Sequence, residues 1–551
     1  VAEQLKIIMS PPPQPESREP VKLSNQPNLE ALNKSCERSI TKMSDDEALE
    51  HIGRLIDDSC DAAFERGAKR ALYLLDELTK RPLTEELAVL AEYFRANAWA
   101  TRSQIANIRQ SWSWESVELQ EEMLAFTRAS SHPGFMKLDN GRRCQILTNR
   151  ANLLDRVGRS IDAIAGWDEA LRIDPHFAKA LGNRGAGLRQ YAGMIDDNQE
   201  RTILALHAYD SFCKAMAPDA VYDSADFLSV IAQFKDMAEA LGRAVNVDAA
   251  RAMQNLDQGE QGRSKVERAY RQWCLDKRLF LSPLNDLGPY LAAATDDLML
   301  PGIRERFDER PGDYSPPPII GFFSQMKQEY VSARYMLFEG MSSTRVHFSD
   351  RGVTLTNTLD YPLYSLASER VRTAFRIAYS LLDKIAFLID RYWKLGKIPA
   401  HISFKNVWMV EKKQRLLPQF AESNNWSLRG LYWLSKELFD DQLKQTTSAD
   451  ARELHAIRNA LEHTYLRVSM GWAKPLPIEP SNTSSFGIAI GSDELESKAI
   501  RVMQIARSAL FYVSFAIRHE ERKKLRDDSE EMVGSMPLYL FEDRWKRRDP
   551  H

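Results

Sequence analysis

The chain has 551 residues, too many for one ordinary core, so two or three domains are expected. Hydrophobic residues at 44% and charged residues at 27% exclude wholesale disorder. A formal net charge of -3 gives no global attraction to nucleic acid, so any RNA site would have to be a local basic patch.

The five cysteines (Cys36, Cys60, Cys144, Cys213, Cys274) are scattered, and no pair has C-x-x-C spacing. Neither a disulfide framework nor a zinc knuckle is indicated, and a reducing, cytoplasmic setting is expected. No apolar run approaches the roughly 18–20 residues of a membrane span. The opening VAEQLKIIMSPPPQPESREP lacks a basic n-region, so no signal peptide is expected either. Its prolines and polar groups predict a disordered tail over residues 1–30.

From Asp45 onward the helical period dominates, and helical repeats are expected over residues 31–250. Ile52, Leu55, Ile56, Ala63 and Phe64 fall on one stripe, and similar stripes run through Ala71–Leu78 and Leu87–Ala98. The segment from Leu147 to Leu154 recurs 34 residues later from Leu181 to Leu188, with Gly158, Ala163, Trp167, Ala170 and Pro175 between them. Small residues at Ala151, Ala163 and Ala170 let paired helices approach, Trp167 fills the groove and Pro175 stops the second helix. This pattern resembles a tetratricopeptide (TPR) repeat. The resemblance implies that Asn149 and Asn183, at one repeat position, grip a partner peptide; a helix–helix hydrogen bond is the equal alternative.

Residues 251–317 read as a connector, with an aromatic-rich helix over 265–287. The stretch Asp308–Pro318, with three consecutive prolines at 316–318, is the best boundary in the chain. After it come helices predicted at Ile319–Gly340, Leu366–Leu395, Leu428–Phe439, Asp450–Ser469 and Glu494–Leu525. Thr344–Tyr364 alternates and reads as a small hairpin. Long helices with short connections pack as an up-and-down bundle, here over 318–528, before a charged tail at 529–551. The expected fold class is all-α.

The patterns G-x-x-x-x-G-K-[ST], H-E-x-x-H, G-x-S-x-G and a strand-linked G-x-G-x-x-G are all absent from the sequence. One constellation stands out: Arg458-Asn459-Ala460-Leu461-Glu462-His463, within a predicted bundle helix. A looser spacing of Arg and His also matches Arg201/His207 and Arg544/His551, whereas R-N-x-x-x-H occurs once. On a helix, Leu454, Ile457, Leu461, Tyr465 and Val468 would line the packed face. Asn459 and His463, four apart, share the opposite face with His455, and Arg458 sits at the border.

The motif in a helical bundle resembles the active site of HEPN-domain ribonucleases. That resemblance implies a homodimer whose two motif helices pool their Arg and His residues, and RNA cleavage without metal or other cofactor. His463 would be the acid/base group and Arg458 the stabiliser of phosphate charge, with Asn459 orienting one or the other. It implies tRNA or mRNA as substrate and a role as a toxin, stress or antiviral effector. The competing reading is a solvated helix face in a non-catalytic adaptor. Arg370, Arg372, Arg376 and Lys384 run along one helix and are candidates to hold RNA phosphate, or simply solvated charges. Asp383 and Asp390 on that helix either approach the site or face water. Trp112, Trp114, Trp273, Trp393 and Trp408 read as core and connector packing.

Overall fold

The computed structural model describes residues 29–106, 113–222, 227–304, 316–359, 361–410, 415–439, 449–470, 486–527 and 539–546. Residues 1–28 of the expected tail, Trp112, the boundary residues 308–315 and most of 529–551 lie outside these. The described residues form eighteen α-helices and two short strand pairs, an all-α protein as the helical period predicts.

Helices α1 (Leu29–Glu37), α2 (Asp45–Asp61) and α3 (Glu65–Leu78) pack with α4 (Glu85–Ile105) around an N-terminal core. A capping box starts α2: Ser44 Oγ accepts from the Glu47 N–H, and the Glu47 carboxylate accepts from the Ser44 N–H. Ile52, Leu55 and Ile56 are buried as their stripe requires. Ala63 departs from it. It lies just past the end of α2, exposed, with φ at 50°, because the chain turns there into α3.

The array continues through α5 (Val117–Ser131), α6 (Asn140–Arg156), α7 (Ser160–Ile173), α8 (Ala178–Met194), α9 (Asn198–Ala215), α10 (Phe227–Ala244) and α11 (Val247–Met253). From α4 to α10 each helix packs on the next, the antiparallel stacking that short turns impose. Ala151, Ala163 and Ala170 are fully buried, and Trp167 sits between hairpins with its indole N–H on Asn152 Oδ1 at 2.9 Å. A Cβ on Gly187 would lie 2.3 Å from the Trp167 ring, so only glycine fits there. Helix α7 stops at Ile173, two residues before Pro175.

In α6 the Asp155 carboxyl has its Oδ1 atom enclosed without a hydrogen-bond partner, and burial pushes its pKa from 3.8 up to about 7. A folded-state value above the unfolded one means that ionisation opposes folding. Stability should therefore fall as pH rises from about 4 through 7. Asp155→Asn is expected to raise the melting temperature at pH 8 and leave it nearly unchanged at pH 4, measured by calorimetry at both values.

Connector helix α12 (Lys265–Asp276) leads to the C-terminal bundle of α13 (Pro318–Ser342), α14 (Leu366–Tyr392), α15 (Pro418–Ala421), α16 (Trp426–Phe439), α17 (Ala449–His463) and α18 (Ser492–Asp527). Helices α13, α14 and α18 pack mutually, α16 lies on α18, and α17 spans α14 and α16. Strands β1 (Met409–Val410) and β2 (Arg415–Leu416) form an antiparallel pair.

Two local expectations are corrected. The helix expected over Asp450–Ser469 ends at His463, and Tyr465–Ser469 becomes β3, paired in parallel with β4 (Gly487–Gly491). Residues 465–469, Tyr-Leu-Arg-Val-Ser, suit a strand once a partner is present, and Gly487 provides one that fits: a Cβ there would sit 1.9 Å from the Tyr465 carbonyl oxygen. The segment Thr344–Tyr364 forms no hairpin among its described residues. It carries a 3₁₀ turn at Phe348–Asp350 and then runs beside β3, with the Leu363 N–H on the Val468 carbonyl at 2.8 Å. The membrane expectation also needs one correction. Ser492–Arg526 is long and apolar enough to cross a membrane, but 83% of its most apolar window is buried inside the bundle, where α18 is the central helix.

The proline cluster at 316–318 marks a boundary in the chain that the core does not respect. One hydrophobic cluster joins buried residues on both sides of it, with members from Val89 to Ile517 among the described residues. Gly158, at φ 91°, meets Gly430 so closely that a Cβ on Gly430 would sit 2.2 Å from the Gly158 carbonyl oxygen. Trp114 donates its indole N–H to the Ser423 carbonyl at 2.8 Å and accepts the Trp433 indole N–H at its own carbonyl at 3.0 Å. Trp114 and Trp408 are core residues, and Trp273 and Trp393 are partly buried against the same core.

Candidate functional site

Helix α17 presents Leu454, Ile457, Ala460 and Leu461 to the core. Its other face carries the polar row. The Asn459 side-chain amide lies 3.0 Å from His455 Nε2, one turn back, and Asn459 Oδ1 accepts from Arg458 Nη1 at 3.2 Å. Asn459 thus holds Arg458 on one side and His455 on the other. His463 is exposed at the last position of the helix and makes no hydrogen bond or ion pair among the described residues. Neither Arg458 nor His463 is buried in an intrachain salt bridge there.

The neighbouring helix α14 brings Asp383 and Tyr379 into the electrostatic reach of Arg458. Burial pushes the Asp383 carboxyl above its usual range; the Phe404 N–H, which donates to Asp383 Oδ1 at 2.9 Å, and the Arg458 charge oppose that shift. Burial, then the Asp383 charge, raises the Tyr379 phenol, again opposed by Arg458. Tyr379 was not singled out in the sequence, although its place one turn before Asp383 on the same helix was a usable signal. Asp390 is not part of this group. It is buried at the end of α14, where it accepts the Lys397 N–H at 3.0 Å.

The four basic residues of α14 are engaged within the chain. Arg370 pairs with Glu339 at 3.5 Å, and Lys384 with Glu329 at 2.5 Å. Arg372 binds Glu369 at 2.7 Å and the Leu466 carbonyl at 3.2 Å. Arg376 donates to the Leu461 carbonyl at 2.7 Å, an acceptor near the C-terminal end of α17. Two of them therefore stitch α14 to the motif helix and the strand after it.

In the repeats, Asn149 donates to Tyr93 Oη at 3.2 Å, which is a helix–helix hydrogen bond; Asn183 is half-buried. The looser match at Arg201 and His207 is structural. Arg201 caps the Ile195 carbonyl at 2.8 Å, and His207 lies 3.0 Å from the Gln254 amide. His551, of the other loose match, lies outside the described residues.

Arg458 and Asn459 are half-buried and His463 is exposed, so the motif reaches the surface of the helical bundle. The family model described as LA2681-like HEPN matches residues 311–520, a stretch that contains α13 through most of α18 and the whole motif. The C-terminal bundle is thus the part of the chain that is similar to a HEPN domain. No curated protein and no solved structure matches the chain.

Proposed function

We propose that the C-terminal bundle is an endoribonuclease that cuts RNA by attack of the ribose 2′-hydroxyl on the adjacent phosphate, without a metal ion. The observation that carries this reading is the single R-N-x-x-x-H row, Arg458, Asn459 and His463, on an accessible helix face inside the HEPN-type stretch. His463 takes the 2′-hydroxyl proton or returns one to the leaving 5′-oxygen. Arg458 offers two parallel N–H donors to the phosphate oxygens as charge builds on them. The products are a 2′,3′-cyclic phosphate and a 5′-hydroxyl, and the 2′-hydroxyl requirement restricts the reaction to RNA; by resemblance the substrate is tRNA or mRNA. In this reading the repeats are a TPR-like regulatory arm that takes a peptide or protein partner, and the protein is a cytoplasmic toxin or defence effector. The test is incubation of purified full-length protein with total RNA beside a His463→Ala variant, with detection of cyclic phosphate ends.

The same geometry favours a homodimer. Arg458 and His463 are five residues apart, so they diverge by about 140° around one helix and are ~7.5 Å apart along it. Two copies of α17 meeting across a two-fold axis bring an Arg from one to a His from the other. Tyr364 Oη lies 2.9 Å from Tyr465 Oη, two residues past His463, and the segment leading to it exposes Val346, Phe348, Val353, Leu355 and Leu359. Such a strip is the kind of surface that association covers. Light scattering at micromolar concentration is expected to give twice the chain mass, and Phe348→Asp with Leu355→Asp to shift it toward the monomer. A strict monomer for the unaltered chain counts heavily against the composite site.

A non-catalytic adaptor is the second reading. It is favoured by the engagement of Arg370, Arg372, Arg376 and Lys384 within the chain, which leaves those four poorly placed to track an RNA backbone.

A further inference from the structure

A cavity of about 480 Å³ lies between the repeat array and the bundle, far larger than a water site and within the range of small-molecule pockets. Its walls come from α6, α7, the end of α12, α16, α17 and α18. Part of the lining is satisfied: Arg159 pairs with Asp162 and Glu437, and Arg278 with Asp168. Four cations on the wall are not. Arg150, Arg172, Lys277 and Arg501 have no ion-pair partner among the described residues, and the Arg150 Nε atom is enclosed with no hydrogen bond. Over the whole lining six cations stand against four carboxylates, Asp162, Glu169, Asp276 and Glu437, an excess of two positive charges. Burial, and next the nearby Arg501 charge, push the Arg150 pKa below its usual value. Asp162 acts on both Arg150 and Arg501, yet these two like charges, from different parts of the chain, line one cavity whose cations outnumber its carboxylates. A bound anion relieves that surplus.

We propose that this cavity binds a small, multiply charged phosphate compound, held by Arg150 of α6 and Arg501 of α18. Planar guanidinium forks suit tetrahedral phosphate oxygens bidentately, and the surplus of positive charge suits more than one phosphate group. The bound anion bridges repeat array and bundle. It also touches the motif helix, since Leu454, one turn before Arg458, lines the same cavity. The site stands on the cavity itself and does not rest on RNA cleavage.

The test is calorimetric titration of the full-length chain, separately with ATP and with inorganic tripolyphosphate. At least one is expected to bind at micromolar to sub-millimolar concentration. Arg501→Gln and Arg150→Gln should each weaken binding about tenfold or more, with Arg501→Lys losing less. Binding of both probes means that the phosphates alone are read, and binding of ATP alone means that the nucleoside is read as well. No binding of either probe at millimolar concentration overturns the proposal, as does binding that the glutamine variants leave unchanged. Should Arg150→Gln fail to fold, the Arg501 variants decide.

Discussion

Replacing His463 or Arg458 with Ala is expected to abolish RNA cleavage while leaving the fold nearly unchanged. His463 is exposed at the end of α17 and makes no bond among the described residues, so its loss should shift stability by less than about 0.5 kcal/mol. Loss of a general acid/base typically costs roughly 10²–10⁴-fold in rate. Arg458 is half-buried, and its removal also frees Asn459 and takes a compensating charge from Asp383, so a small stability loss should accompany it. The stricter test mixes the two variants. If Arg and His come from different subunits, a heterodimer regains one competent site; if both must come from one chain, every site stays broken. Activity should also survive EDTA. Unaltered cleavage by the His463→Ala protein, or loss of cleavage with EDTA alone, would overturn the proposed mechanism, and no cleavage by the unaltered chain would leave the adaptor reading in front.

The second large effect concerns the joint between connector and bundle. Arg507 of α18 is almost fully buried and binds Asp286 through Nη1 at 2.7 Å and Nη2 at 3.2 Å. It also donates to the carbonyls of Phe280 and Ser282, while Tyr191 of the repeat array donates to the same Asp286 carboxylate at 2.8 Å. One carboxylate therefore ties three parts of the chain. Asp286→Ala leaves a buried guanidinium without its counter-charge and is expected to cost about 3–5 kcal/mol. An exposed pair such as Arg54–Glu50 is worth no more than about 1 kcal/mol, and its removal is the control. Denaturant and thermal unfolding followed by circular dichroism check both. The same logic predicts the behaviour of fragments. A piece beginning at residue 318 lacks Asp286 and also Asp296, which pairs with the buried Arg334 at 2.7 Å, so it should be insoluble. A piece beginning at residue 265 restores both partners and should be the more soluble. A well-folded 318–528 fragment would show that the shared core is dispensable.

Much of the architecture was legible because helical periodicity is a local property. The spacing of Leu366 to Leu395 or Glu494 to Leu525 predicts helices whose observed bounds, Leu366–Tyr392 and Ser492–Asp527, differ by only a few residues. The repeat around Ala151, Trp167 and Gly185 was equally readable, since small and large residues alternate within each hairpin. Asn459 and His463 could be assigned to the helix face opposite the core for the same reason.

Contacts between distant residues were not legible. The period through Leu461, Tyr465 and Val468 continues as a helix on paper, but residues 465–469 pair with 487–491, and a partner more than twenty residues away leaves no mark on local spacing. That pairing sets the end of α17 at His463 and so decides how exposed the histidine is. The arginines of α14 looked free because their partners are remote: Arg376 binds a carbonyl 85 positions on, and Arg372 one 94 positions on. Likewise the prolines at 316–318 predict a break in the chain, whereas Asp286 and Arg507, 221 positions apart, join across it. By itself the sequence determined which segments are helical, which faces are apolar and where R-N-x-x-x-H lies. Only the tertiary structure decided which charges are consumed in packing and which remain open to a ligand, because a charge is neutralised by whatever stands within a few ångströms of it, however far away in the chain that partner lies.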